Sequence, residues 1–152
     1  MKRIVLAVIL VAAPVMLAAA EPAKDHYTPG LGEFMAATQV RHAKLWFAGK
    51  NDNWPLAAWE VDEIREGLED AARLHATHDG VPVAEMIKTI IEPRLEKLDK
   101  AIATKSGTQF IAAFDDLTDG CNSCHAAANK PFIRIQRPTT PPFSNQNFAP
   151  AE

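Results

Sequence analysis

The sequence has few cysteines, no internal repeat and no alternation of apolar and polar residues. Each of these absences argues against a class of fold. Cys121 and Cys124 are the only cysteines in 152 residues. A disulfide between them would close a very short loop and stabilise little of the chain. We find no internal repeat and no period-two alternation of apolar residues, which argues against repeat and β-sheet folds.

Long apolar runs are also missing, except at the beginning of the chain. A basic start is followed by an apolar run over residues 4–17 and by small residues at Ala18 and Ala20. These features are typical of a secretory signal peptide, and they predict export with cleavage after Ala20. The alternative is an uncleaved membrane anchor, for which the run is short and is interrupted by Pro14.

The chain has no excess of positive charge. After cleavage, 132 residues would remain with 14 basic and 19 acidic side chains, a formal charge of −5. This acidity argues against nucleic acid and anionic lipid as partners. It is compatible with docking to a basic patch on another protein.

Apolar residues recur at helical spacing in four segments. The predicted helices cover residues 31–49, about 53–78, about 82–105 and about 108–129. Asn53 is the predicted N-cap of the second helix, and Pro93 should kink or split the third. Short connections between such helices predict an all-α, antiparallel four-helix bundle over residues 21–130.

The second helix divides into an apolar and an acidic side. The acidic side is predicted to face solvent and contains Glu60, Asp62, Glu63, Glu66 and Glu69. Three tryptophans cluster around the turn between the first two helices, and we expect packing roles for Trp46, Trp54 and Trp59.

Residues 131–152 form a proline-rich segment with five prolines, in which no helix is expected. We expect an extended tail that the rings of Phe132, Phe143 and Phe148 could attach to the helices. The alternative is disorder of the last ten residues.

The segment from Cys121 to His125 has the spacing C-x-x-C-H, which is the attachment motif of a c-type haem. On a helix, positions i, i+3 and i+4 share one face, so Cys121 and Cys124 can form thioethers with the two haem vinyl groups while His125 ligates the iron. A redox dithiol would be expected near a βαβ pattern, and a zinc site would need further ligands nearby. The sequence has neither, so it predicts one covalently bound haem.

The motif lies on the last predicted helix, and in this respect the chain resembles the class II c-type cytochromes, which include cytochrome c′ and its low-spin relatives. The resemblance covers roughly residues 30–130 and implies a four-helix bundle. One departure is the run Ala126-Ala127-Ala128 directly after the motif, where the family usually has an aromatic residue and an arginine. Here Phe132 and Arg134 come later.

The sixth position on the iron separates the possible functions. Low-spin members of the family use a methionine early in the first helix, and Met35 has a similar place and depth along its helix. His42, on the same face, is the main alternative ligand, although it could instead hydrogen-bond within the core. Weaker candidates are Met86, His75 and His78, and a five-coordinate iron is a further alternative.

These observations predict a periplasmic electron carrier that is not an enzyme and that exchanges electrons with redox partner proteins. A His/Met pair of ligands raises the haem potential and suits this role. The alternative function is binding of nitric oxide or carbon monoxide at a five-coordinate iron. A peroxidase-like activity ranks third because no distal acid–base pair can be assigned. The resemblance also makes a homodimer through the first two helices possible.

Overall fold

The helical spacing of apolar residues leads to an all-α fold. The computed structural model describes residues 27–151, and within this range no strand occurs, only an isolated bridge between His78 and Val81. The helices are α1 (Leu31–Lys50), α2 (Trp54–Leu74), α3 (Val83–Met86), α4 (Glu92–Ala103) and α5 (Gly107–Ala127). No helix in the described range is both long and apolar enough to cross a membrane. The predicted signal peptide, residues 1–20, lies outside that range.

Side-chain caps define where two of the long helices begin. The Asn53 side chain accepts a hydrogen bond from the backbone N–H of Leu56, and a proline lies in the first turn of α2. The Ser106 hydroxyl accepts from the backbone N–H of Gln109 at the start of α5. Both caps satisfy N–H groups that have no partner inside the helix. The cap predicted at Asn53 is therefore confirmed.

The third helical stretch is interrupted just before Pro93. A π-helical segment, Ile87–Ile91, joins α3 to α4, and the N–H of Glu92 bonds to the carbonyl of Ile87. Proline cannot donate the usual backbone hydrogen bond, and a π-type turn is one way to accommodate the lost bond. The guanidinium of Arg94 donates to the Ile90 carbonyl at 2.6 Å. The chain stays helical through Pro93, so the helix is not split; what changes before the proline is the hydrogen-bond pattern.

The helices bury one shared apolar core. α1 packs against α2, α2 against α4, and α4 against α5. The largest fully buried apolar side chains come from all four of these helices and include Leu45, Ile64, Leu95, Leu98, Phe110, Phe114 and Leu117. Burial of such side chains is the main favourable contribution to folding.

Gly49 of α1 lies directly against the ring of Phe110 on α5. A methyl group added at this glycine would lie 2.2 Å from ring atoms of Phe110, which is itself fully buried. The phenyl ring therefore occupies the space that any side chain at position 49 would need. The ring of Trp54, at the start of α2, meets Phe110 edge-on at 6.0 Å.

The segment after α5 has no helix or strand through residue 151, and it runs back along α5 and α1. Of the three phenylalanines expected to attach it, Phe148 is buried with its ring 5.7 Å from that of Phe47. Lys44 lies over the ring of Phe143. Phe132 is 78% exposed, so the expectation was wrong for this residue.

Three sequence predictions about α2 and its neighbours were wrong. The helix ends at Leu74, not near residue 78. Glu60 is 1% exposed because its side of α2 faces α1, where Arg41 lies 3.4 Å from its carboxylate. Trp59, which was expected to pack, is 56% exposed. Burial raises the pKa of Glu60, while Arg41 opposes this shift.

The contact at Gly49 gives a test of the packing. We expect Gly49→Ala to lower the free energy of unfolding by about 1–3 kcal/mol, since the Phe110 ring must move. Gly67→Ala is the matched control, because a methyl group there would meet nothing within 4 Å. In this control the free energy of unfolding should rise by about 0.5–1 kcal/mol, because alanine loses less backbone entropy in a helix than glycine does. Urea unfolding measures both, and equal effects of the two substitutions would contradict the packing described.

Candidate haem attachment site

The three residues of the motif lie on the last turns of α5. Cys121 and Cys124 are separated by three positions and are followed directly by His125, so all three share one face of the helix. Both cysteines are free, and both pack partly buried against the apolar core. The helix continues only to Ala127, so His125 lies at the end of the molecule where α5 ends.

The surroundings of the two thiols keep them protonated. Burial, together with the neighbouring Cys124, raises the pKa of Cys121 to about 12. Burial also raises the pKa of Cys124. Catalytic dithiols react as thiolates and zinc is bound by thiolates, so both kinds of site favour a lowered thiol pKa. The raised pKa values of Cys121 and Cys124 are the opposite. Over residues 27–151, no group of three or more histidine, cysteine or acidic side chains is placed to hold a metal ion.

The imidazole of His125 is held by a backbone carbonyl from beyond the helix. Its Nδ1 lies 3.0 Å from the carbonyl oxygen of Ile133. A carbonyl only accepts hydrogen bonds, so Nδ1 carries a hydrogen, and the neutral form of the ring then has its lone pair on Nε2. This is the arrangement in which metal-ligating histidines are usually found.

These residues fit a c-type haem. Two thiols on one helical face can form thioethers with the two vinyl groups, and the adjacent imidazole presents an unprotonated Nε2 for iron. The apolar packing of both cysteines matches the apolar edge of a porphyrin. Gly120, directly before the motif, accommodates Arg94, whose Cδ would lie 2.6 Å from a methyl group added there.

Arg94 connects the π-helical segment to α5 beside the cysteines. Its Nε donates to the backbone carbonyl of Asp116 at 3.0 Å and lies 3.1 Å from the carboxylate of the same residue. The positive charge also opposes the rise in the pKa of Cys121 and of Cys124. The arginine therefore fixes the distance between the motif and the third helical stretch.

The register of α1 against α5 shows which part of α1 faces the motif. Three contacts define it: Gly49 with Phe110, Trp46 with Phe114, and His42 with Thr118. The residue numbers in each pair add to about 160, so the two helices run in opposite directions. Continuing this register to the end of the helices brings Met35 level with His125. Met35 is half-buried and packs against the core, which is also the position of an ordinary core methionine.

His42 has a partner within the core. Its Nε2 lies 2.9 Å from the Thr118 hydroxyl, which itself donates to the Phe114 carbonyl. The hydroxyl hydrogen is therefore used, so Nε2 of His42 is the donor in the contact with Thr118. Burial lowers the pKa of His42 to about 4, which keeps the ring neutral. Of the two roles expected for His42, the structure contains the core hydrogen bond.

The weaker ligand candidates lie in or near the connection between α2 and α3. His75 Nε2 donates to the Pro29 carbonyl at 2.8 Å, and the His75 ring is 6.0 Å from that of His78. His78 also lies 3.6 Å from the Asp79 carboxylate. Met86, at the end of α3, is half-buried. The hydrogen bond of His75 occupies its Nε2, which leaves only Nδ1 of this ring for a metal.

Sequence reasoning missed two residues at the site. The Ile133 carbonyl that holds His125 is a backbone group, which no side-chain pattern reveals. Asn122, the first variable position inside the motif, pairs with the backbone of Ile135. A polar amide there was a possible signal, but it does not identify a partner.

Comparison of the chain with protein-family models, with curated proteins and with solved structures gives no match. The assignment of the site therefore depends on its own residues and geometry.

The buried imidazole predicts a loss of stability in acid. The pKa of His42 is about 4 in the folded chain and about 6.5 in the unfolded chain, so the stabilisation is complete above about pH 6.5 and decreases as the pH falls towards 4. Between about pH 7.5 and pH 5 the free energy of unfolding should fall by about 2 kcal/mol from this group.

Urea unfolding at the two pH values measures this difference. His42→Gln should remove most of it, whereas His78→Gln, at a half-exposed position, should retain it. An unchanged pH dependence in His42→Gln would show that the buried imidazole is not its source.

Proposed function

We propose that the protein is a monohaem c-type cytochrome that carries electrons. The observation that supports this most directly is the last turn of α5, where two thiols and an imidazole share one face and the imidazole has an acceptor for its Nδ1 hydrogen. A pair of cysteines with a purely structural role would need neither the neighbouring imidazole nor an acceptor for its Nδ1 hydrogen. We further propose that residues 1–20 direct the chain to the periplasm, where haem attachment takes place.

The proposed architecture is an antiparallel four-helix bundle with an extended proline-rich tail. The opposed register of α1 and α5 supports it, and so do the short connections between successive helices. Contacts of Arg94 with Gly120 and of Lys97 with the earlier residue Asp116 support the same arrangement for α4 and α5. In such a bundle the end of α5 lies beside the start of α1.

Each residue of the site has a separate role in this proposal. Cys121 and Cys124 bind the haem covalently, and His125 binds the iron through Nε2. The Ile133 carbonyl orients the imidazole by accepting its Nδ1 hydrogen. When bound, the haem supplies a one-electron iron couple, and the chain sets its potential through ligands and surroundings.

Met35 is the proposed sixth ligand. The α1–α5 register supports this choice, because it brings Met35 level with His125. The hydrogen bond from His42 to Thr118 argues against His42, whose Nε2 hydrogen is already donated. Methionine opposite histidine raises the potential and leaves the iron six-coordinate, as an electron carrier requires.

Covalent attachment has a direct test. Cys121→Ala combined with Cys124→Ala should abolish haem staining of the purified protein after denaturing electrophoresis, because no thioether can form. Ser123→Ala, which alters only a side chain bonded within α5, is the control and should stain like the unaltered protein. Staining that persists in the double variant would overturn the proposed attachment.

The sixth ligand has a spectroscopic test. Met35→Ala should convert the ferric and ferrous visible spectra from low spin to high spin and remove the near-infrared band of a methionine–iron bond. His42→Ala is the companion variant and should leave the protein low-spin. The reverse result would identify His42 as the ligand. High-spin spectra of the unaltered protein that shift with carbon monoxide would favour gas binding over electron transfer.

A further inference from the structure

The chain immediately after α5 folds back over the last turns of that helix. We refer to residues 130–137 as the strap. It begins where the backbone N–H of Lys130 bonds to the carbonyl of His125 at 2.8 Å, and a turn follows in which Ile133 N–H bonds to the carbonyl of Lys130 at 3.0 Å. This turn brings the Ile133 carbonyl to the His125 imidazole.

Asn122 holds the strap at its centre. Its Nδ2 donates to the Ile135 carbonyl at 2.9 Å, and its Oδ1 accepts from the Ile135 N–H at 2.8 Å. One side-chain amide thus satisfies both backbone groups of a single residue. This reciprocal pair fixes the position of Ile135 along α5 and also its orientation.

The far end of the strap is held by charge. Arg137 forms a two-pronged ion pair with Asp115, in which Nε lies 2.6 Å from Oδ1 and the second contact joins Nη2 to Oδ2. The guanidinium also lies over the ring of Trp46, 4.9 Å from its centroid. The strap is therefore attached to α5 at both ends and at its centre, and Ile133 lies between two of these points.

We propose that Asn122 is a positioning residue for His125: by clamping Ile135, it keeps the Ile133 carbonyl in place to accept the Nδ1 hydrogen of the imidazole. This inference rests on the proposed function and extends it to the control of the proximal ligand. It gives the first variable position of the motif a role, although that side chain touches neither thiol nor imidazole in the contacts described.

The physical consequence follows from the hydrogen bond itself. A carbonyl that accepts from Nδ1 fixes the tautomer and ring orientation, and it makes Nε2 a stronger electron donor. A stronger donor stabilises the ferric state relative to the ferrous state, so the reduction potential is lower with the strap in place. Loss of the clamp should therefore raise the potential and weaken the proximal bond.

The test compares Asn122→Ala with Ser123→Ala in the purified haem-containing protein. Ser123 is the other variable position of the motif, and its hydroxyl bonds only to the Asp119 carbonyl of the same helix. We expect Asn122→Ala to shift the reduction potential to more positive values. We also expect faster solvent exchange of the His125 Nδ1 hydrogen, followed by nuclear magnetic resonance with ¹⁵N-labelled histidine. Ser123→Ala should change neither quantity.

A second variant separates positioning from folding. Asn122→Asp keeps the acceptor for the Ile135 N–H but loses the donor to its carbonyl. Its rate of solvent exchange at His125 Nδ1 should therefore lie between those of Ser123→Ala and Asn122→Ala; its potential is not compared, because the added negative charge alone would lower it. If Asn122→Ala fails to accumulate, the aspartate variant alone decides, and its exchange rate must exceed that of Ser123→Ala.

The possible failures are distinguishable. A haem-containing Asn122→Ala variant with the potential and exchange rate of Ser123→Ala would overturn the positioning role and leave the haem assignment intact. Absence of covalent haem in the unaltered protein would overturn the proposed function instead. Exchange at His125 Nδ1 would still report on the clamp in that case, and an unchanged rate in Asn122→Ala would overturn it.

Discussion

The pairing of α1 with α5 is the constraint on which the rest of the molecule depends. Three contacts set its register: Gly49 with Phe110, Trp46 with Phe114, and the hydrogen bond from His42 to Thr118. A buried imidazole without a partner costs free energy, so a slip of one helical turn would be unfavourable at this point as well as at Gly49. The register in turn decides that Met35 and His125 are level, and it sets the surface along which the C-terminal segment returns.

The motif and the C-terminal segment form one unit at the end of α5. The helix supplies the two thiols and the imidazole, and the segment beyond it supplies the carbonyl that orients the imidazole. Farther along, the segment is attached through Arg137 and through the buried ring of Phe148. A part of the chain without regular secondary structure can therefore hold the His125 imidazole in a defined orientation, because its backbone groups are bonded at several points.

Local patterns in the sequence predicted much of this structure, and the failures have physical causes. Asn53 and Pro93 act through their own backbone neighbours, so the start of α2 and a local irregularity before α4 were predictable. Glu60 and Trp59 were misassigned because the face that α2 buries depends on α1, and Arg41 compensates the carboxylate there. The attachment of the C-terminal segment to α5 through Asn122 could not be predicted, because the partners of this side chain are backbone atoms of Ile135, in a segment with no periodic pattern.

Attachment of a haem to Cys121 and Cys124 is the proposal on which the others rest. It is tested most directly by the mass of the proteolytic peptide that spans residues 121–125, taken from protein exported by a cell with a haem-attachment system. We expect one haem per peptide, bound through both cysteines and retained under denaturing conditions. A peptide that carries two unmodified cysteines, or only a disulfide between them, would contradict it.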